Sequence, residues 1–183
     1  PNLNVTCPAD CSELGKVLHD YASNDRGPSY IRLTGVPGSK NVYDKNYKYK
    51  FGKNITITKG KDILILSHGS ILGQVKTSVE SLKKINISVQ LVNIISLKPM
   101  DKSVTTLLKK YKKIITIEEH TSVGGLGSII SEKILKNNFK SELFSFSLPD
   151  KFGPTGTYEY LLNYHGLNSD SITKKIIKLV NKK

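Results

Sequence analysis

Glu118-Glu119-His120 places two carboxyl groups and an imidazole in consecutive positions, directly after the apolar run Ile114 to Ile117. Such neighbours can form a carboxylate–imidazole pair or hold a polar ligand, since parallel α/β sheets gather ligands where their strands end, but structure and dimer contact is the favoured reading of the three. Just beyond lies Val123-Gly-Gly-Leu-Gly127. A glycine-rich turn from strand to helix frees backbone N–H groups that can cradle an anion. Here the glycines have neither the dinucleotide G-x-G-x-x-G spacing nor a following P-loop lysine. A tight turn with close helix packing is the stronger reading of Gly124, Gly125 and Gly127.

The remaining reactive side chains stand apart from one another in sequence. His68, beside Gly69, has no evident partner and reads as a turn residue rather than a general base. Gly69-Ser70 lacks the G-x-S-x-G elbow a Ser-His-Asp hydrolase needs. His165, in Tyr164-His-Gly-Leu167, stops a helix, where a cation suits the C-terminal dipole. Asp150 organises the loop before Lys151-Phe-Gly. Cys7 and Cys11 have no second ligand pair and no histidine nearby in sequence, so they form no zinc pattern. Two cysteines fit a reducing cytoplasm, which is the expected location.

The elements that must position these residues begin at Asp62. From there strand-like apolar runs alternate with helix-period stretches, the mark of a parallel α/β sheet. Strands are predicted at 63–66, 87–94, 114–117 and 142–146, with an edge strand at 55–58. Helices are predicted at 71–84, after the cap residue Asp101, and over 128–136, 158–164 and 169–180. Leu97-Lys-Pro-Met reads as a break. The expected fold is α/β and three-layered, a mainly parallel sheet of about five strands with helices on both faces. The first third differs: Asp10 and Glu13 form a D-x-x-E start for a helix running to about Ser23, and Ser29 to Leu33 reads as a strand.

The chain has 183 residues, 38% of them hydrophobic, enough for a real core. No apolar run approaches a membrane span. Formal net charge is +13, but Arg26 and Arg32 are the only arginines and the lysines are scattered. Base readers rely on arginine forks, so the surplus reads as a solvated lysine surface and not as a nucleic-acid site. The densest basic tract is Lys45 to Lys53. Pro1-Asn-Leu-Asn-Val-Thr resembles no signal segment, and the chain reads as a piece cut from a longer protein.

Several segments in order resemble the transketolase family, including its split two-subunit form, 1-deoxy-D-xylulose-5-phosphate synthase and the β subunit of 2-oxoacid dehydrogenases. They are Cys7-Pro-Ala-Asp-Cys-Ser-Glu, Gly27-Pro-Ser-Tyr-Ile-Arg-Leu33, Gly60-Lys-Asp-Ile-Leu-Ile-Leu-Ser-His-Gly-Ser70, Leu97-Lys-Pro-Met-Asp101, Glu118 to Gly127 and Leu148-Pro-Asp-Lys-Phe152. The resemblance covers nearly the whole chain. It implies that 1–36 is the tail of a pyrimidine-binding domain, 37–54 a linker and 55–183 a transketolase-type C-terminal domain.

It also implies a complete enzyme that binds thiamine diphosphate and magnesium and moves a two-carbon ketol unit between sugar phosphates. In the family a glycine-aspartate-glycine motif and an activating glutamate hold that cofactor, and this chain has neither. No cofactor or metal ligand is therefore assigned here, and the fragment is expected to be inactive without an N-terminal thiamine-binding domain or subunit. A homodimer is the expected assembly. Arg32 matches an arginine that grips the acceptor phosphate in the deoxyxylulose-phosphate synthases, the alternative being a strand-end arginine at an interface. His120 is the second candidate substrate contact. Gly35 and Ile95 stand where related enzymes carry further arginines, which weakens the synthase reading. A noncatalytic interaction module that kept the fold and lost the site is the reading from another class.

Overall fold

A computed structural model describes residues 1–34, 42–43 and 47–181. The chain opens with β1 (Asn4–Thr6), α1 (Cys11–Ser23) and β2 (Ser29–Ile31). Asp10 caps α1 as its sequence suggests, accepting the Glu13 N–H at 2.8 Å. The Glu13 carboxyl turns back to accept the Ala9 N–H at 2.7 Å. It also takes donors from the Asn93 amide at 3.1 Å and the Tyr47 hydroxyl at 2.8 Å. Burial pushes this carboxyl above its ordinary range in spite of those donors.

The main body follows as β3 (Ile55–Thr58), β4 (Ile63–Ser67), α2 (Leu72–Lys84), β5 (Val89–Asn93), β6 (Ser96–Lys98) and α3 (Ser103–Lys110). It ends with β7 (Lys113–Thr121), α4 (Leu126–Lys136), β8 (Glu142–Leu148), α5 (Tyr158–His165) and α6 (Ser169–Asn181). Five strands form one sheet in the order β3-β5-β4-β7-β8, parallel except for the antiparallel edge strand β3. Successive side chains of a strand point to opposite faces. Ile63 and Ile65 accordingly pack with α2, α5 and α6, while Leu64 and Leu66 pack with α3 and α4. All four are buried, each contributing about 1.5–3 kcal/mol through removal from water. The expected three layers are present.

A second, three-stranded sheet has the order β2-β1-β6. The parallel strands β1 and β2 pair Val5 with Tyr30, and β6 joins β1 antiparallel. Leu97-Lys-Pro-Met is thus only partly a break, because its first residues lie in β6. Neither β1 nor β6 shows in the sequence pattern: each is three residues long, too short for alternation to register, and their pairing spans about ninety positions. The expected linker 37–54 falls in part on 35–41 and 44–46, outside the described residues, as does Gly35. Among the described residues no helix is long and apolar enough to cross a membrane.

Candidate functional site

Strand direction gathers the polar residues at one end of the molecule. Cys7 follows β1, Arg32 follows β2, His68 follows β4, and Glu118 to His120 fill the last third of β7. These are the carboxyl ends of parallel strands, the usual ligand side of an α/β sheet. His68 is here no turn residue without a partner. It is 2% exposed, and its Nδ1 lies 3.1 Å from the sulfur of Cys7. Sequence distance concealed the pairing, since sixty-one residues separate the two and the small sheet must fold onto the large one to join them.

On its other side, His68 Nε2 lies 3.6 Å from Glu118 Oε2, an ion pair slightly beyond hydrogen-bond reach. Glu118 therefore meets His68, and His120 does not supply the imidazole partner that adjacency suggested. The Glu118 carboxylate accepts the Leu126 N–H at 2.7 Å and the Gly127 N–H at 2.9 Å. The anion cradled by the glycine turn is thus the chain's own side chain, seated at the N-terminus of α4. Burial alone pushes the Glu118 carboxyl up, but His68 and the two amides outweigh it and hold the group below its ordinary range. The close packing expected of the glycines is also present. A Cβ on Gly125 would lie 2.8 Å from the Glu118 carboxyl carbon, and one on Gly127 2.6 Å from the Ser145 hydroxyl.

That geometry yields a first prediction. Gly125→Ala forces either the carboxylate or the helix start to move, and is expected to lower the unfolding free energy by about 1–3 kcal/mol, the usual cost of overpacking. Urea unfolding of the variant beside wild type measures it.

Arg32 is half-buried, donating through Nη2 to the Glu119 carbonyl at 2.6 Å and lying through Nη1 3.9 Å from the Cys7 sulfur. His120 is half-buried as well, with Nδ1 3.1 Å from the Thr121 carbonyl. Both adjoin Glu119 in β7, although no hydrogen bond joins them. Ile95 is fully buried, and its carbonyl accepts the Cys7 N–H at 2.8 Å, so this position offers a ligand no cation.

Beside them, Thr34, Glu119, Tyr158 and His165 line a cavity of about 190 Å³ walled by Leu148, Leu161, Leu162 and Leu167. The Tyr158 hydroxyl donates to Glu119 Oε1, while Oε2 is buried without a partner among the described residues. Burial raises this carboxyl above its ordinary range, and Tyr158, Arg32 and His68 offset only part of the effect. His165 is the last residue of α5, and Gly166 closes that helix in the left-handed conformation at φ +63°, as its sequence suggests.

Residues 52–172 match the family model of the transketolase C-terminal domain. The chain is 29% identical over 184 residues to a protein of Methanocaldococcus jannaschii provisionally named a transketolase C-terminal section, covering 100% of this chain and 57% of that protein. It is 32% identical over 185 residues to 1-deoxy-D-xylulose-5-phosphate synthase of Blochmanniella pennsylvanica, covering 99% of this chain and 29% of that enzyme. Among solved structures, one titled "Split gene transketolase, inactive beta4 tetramer" superposes with a TM-score of 0.87 at 27% identity, covering 97% of this chain and 58% of that one. This chain thus spans under two thirds of the length of each of these relatives.

Proposed function

Because the chain belongs to the transketolase C-terminal domain family, we propose that it serves as the C-terminal section of a thiamine-diphosphate-dependent enzyme that moves a two-carbon ketol unit between sugar phosphates. The observation that carries this reading is the likeness, over 97% of the chain, to a split gene transketolase. A second copy of the chain and an N-terminal thiamine-binding domain or subunit complete the assembly. Arg32 and His120 are the substrate contacts in this reading, both at the strand ends where ligands collect.

The described residues do not themselves fit thiamine diphosphate with magnesium. Among them no group of three or more His, Cys, Asp or Glu side chains could hold a metal ion. The amides that open α4, which could otherwise cradle an anion, are committed to Glu118. The cofactor belongs to the partner segment in this reading, and no chemical step is assigned to this chain's residues. The relative's title calls that protein an inactive β4 tetramer, which supports a chain that needs its partner.

Deoxyxylulose-phosphate synthesis is the second reading, favoured by the 32% identity to such an enzyme and opposed by the buried Ile95. The experiment is calorimetric titration of thiamine diphosphate with magnesium into the chain alone and into the chain with its partner segment, followed by a ketol-transfer assay. Binding and turnover are expected in the combined sample only. Binding by neither sample overturns the enzyme reading in favour of an interaction module.

A further inference from the structure

The carboxyl ends of four strands meet in a row of ionisable groups of which the reaction proposed above uses only Arg32. The row runs from Arg32 to the Cys7 sulfur at 3.9 Å, to His68 Nδ1 at 3.1 Å, then from His68 Nε2 to Glu118 at 3.6 Å, and ends on the amides of α4. Cys7 is 1% exposed and Glu118 fully buried. Gly69 turns at φ +70° so that the strand can end against Cys7, where a Cβ would lie 3.1 Å from the sulfur.

Burying ionisable groups together is costly unless opposite charges adjoin. Here they adjoin at every step if the Cys7 proton resides on His68 Nδ1, leaving thiolate beside imidazolium, with the S–H bond broken and an N–H bond formed. Two trends agree with that arrangement. Burial alone pushes the Cys7 thiol up, but His68 and Arg32 outweigh it and leave the thiol below its ordinary value. Burial alone pushes His68 down, but Cys7 and Glu118 outweigh it and raise it to about 9. The charged or titratable groups facing His68 are Cys7 after β1 and Glu118 in β7, with the Glu119 carboxyl and the Arg32 guanidinium nearby.

We propose that Cys7 and His68 are positioning residues for the transfer reaction: anchored on α4 through Glu118, they fix the Arg32 guanidinium to receive the phosphate end of the substrate. This rests on the function proposed above. Among the described residues Arg32 commits one N–H to the Glu119 carbonyl and one towards Cys7, of the five that a guanidinium carries. A cation held in one geometry loses less freedom on meeting an anion than a mobile one.

The test uses the complete enzyme and the variant Cys7→Ser, which keeps the side chain's size and a hydrogen bond but carries no charge at neutral pH. For a phosphorylated acceptor the variant's KM is expected to rise about fivefold, the weight of one ordinary hydrogen bond, with kcat within about twofold. For an unphosphorylated acceptor analogue KM is expected to stay unchanged. His68 is protonated below its raised value, so the wild-type KM for the phosphorylated acceptor is expected to hold steady up to about pH 9 and rise above it. In Cys7→Ser that break moves to lower pH, because one of the groups that raise His68 is gone. His68→Gln, which keeps a donor and loses the charge, is expected to show no break.

Equal losses for both acceptors, or an unmoved pH break, overturn the proposal and leave the row a packing device. If the wild-type complete enzyme shows no ketol transfer, the function proposed above has failed, and calorimetric titration of inorganic phosphate then decides whether Cys7 and His68 position Arg32. Weaker phosphate binding by Cys7→Ser than by wild type supports the positioning role. Equal binding, or none by wild type, overturns it.

Discussion

Replacing Glu118 with alanine is expected to lower the unfolding free energy by about 3–5 kcal/mol, the range for breaking a buried ion pair by removing one partner. For a chain of this size that corresponds to a fall in Tm of about 10 °C. The cost comes from what the carboxylate leaves behind. His68 loses its buried counter-ion 3.6 Å away, and the Leu126 and Gly127 N–H groups lose their acceptor at the start of α4. Glu118→Gln separates these contributions. Its amide oxygen can accept one of the two N–H groups, so about 1–3 kcal/mol is expected, the penalty of an unsatisfied buried group.

The pH dependence gives this prediction a sign. Glu118 has its folded pKa below the ordinary 4.5, so its contribution is full above about pH 4.5 and disappears as the pH falls through the depressed value. His68 is raised from 6.5 to about 9, so the charge that Glu118 faces is fully rewarded below pH 6.5 and lost as the pH rises through 9. The gap between wild type and Glu118→Ala is therefore expected to be widest between about pH 4.5 and 6.5 and to narrow on both sides. Urea unfolding across pH 3–10 measures it, and a gap that is flat or under about 1 kcal/mol would mean that the pair contributes little.

The same pair shows what could and could not be read from the residues. β4, β5 and β7 are announced by runs such as Ile63-Leu-Ile-Leu and Ile114-Ile-Thr-Ile, because burial on both faces favours apolar and β-branched side chains at most positions. Their helices are announced by apolar stripes and by caps such as Asp10, and the glycines of the β7–α4 turn point to close packing that the structure contains. The partners of His68 were not legible. Glu118 lies 50 residues away and Cys7 sixty-one, and they meet only because β4 lies beside β7 and the three-stranded sheet folds against them. A histidine just after the apolar run Ile63 to Leu66 and Ser67, at the carboxyl edge of a parallel sheet, is the available sign that His68 is buried and paired.

Arg32 carries the largest expected effect on activity. If its guanidinium grips an acceptor phosphate, Arg32→Ala removes at least one charge-assisted hydrogen bond of about 1.5–3 kcal/mol, and the KM for that acceptor rises about tenfold to a hundredfold. The interaction is present in ground and transition states alike, so kcat is expected to change little. Arg32→Lys retains the positive charge but cannot span the Glu119 carbonyl and the Cys7 sulfur with a planar fork, so it is expected to recover only part of the affinity. Steady-state kinetics of the complete enzyme with phosphorylated and unphosphorylated acceptors separates binding from architecture. A rise confined to the phosphorylated acceptor assigns Arg32 to the substrate. An unchanged KM together with a lowered Tm assigns it to the joint between the two sheets, where its bond to the Glu119 carbonyl already ties the end of β2 to β7.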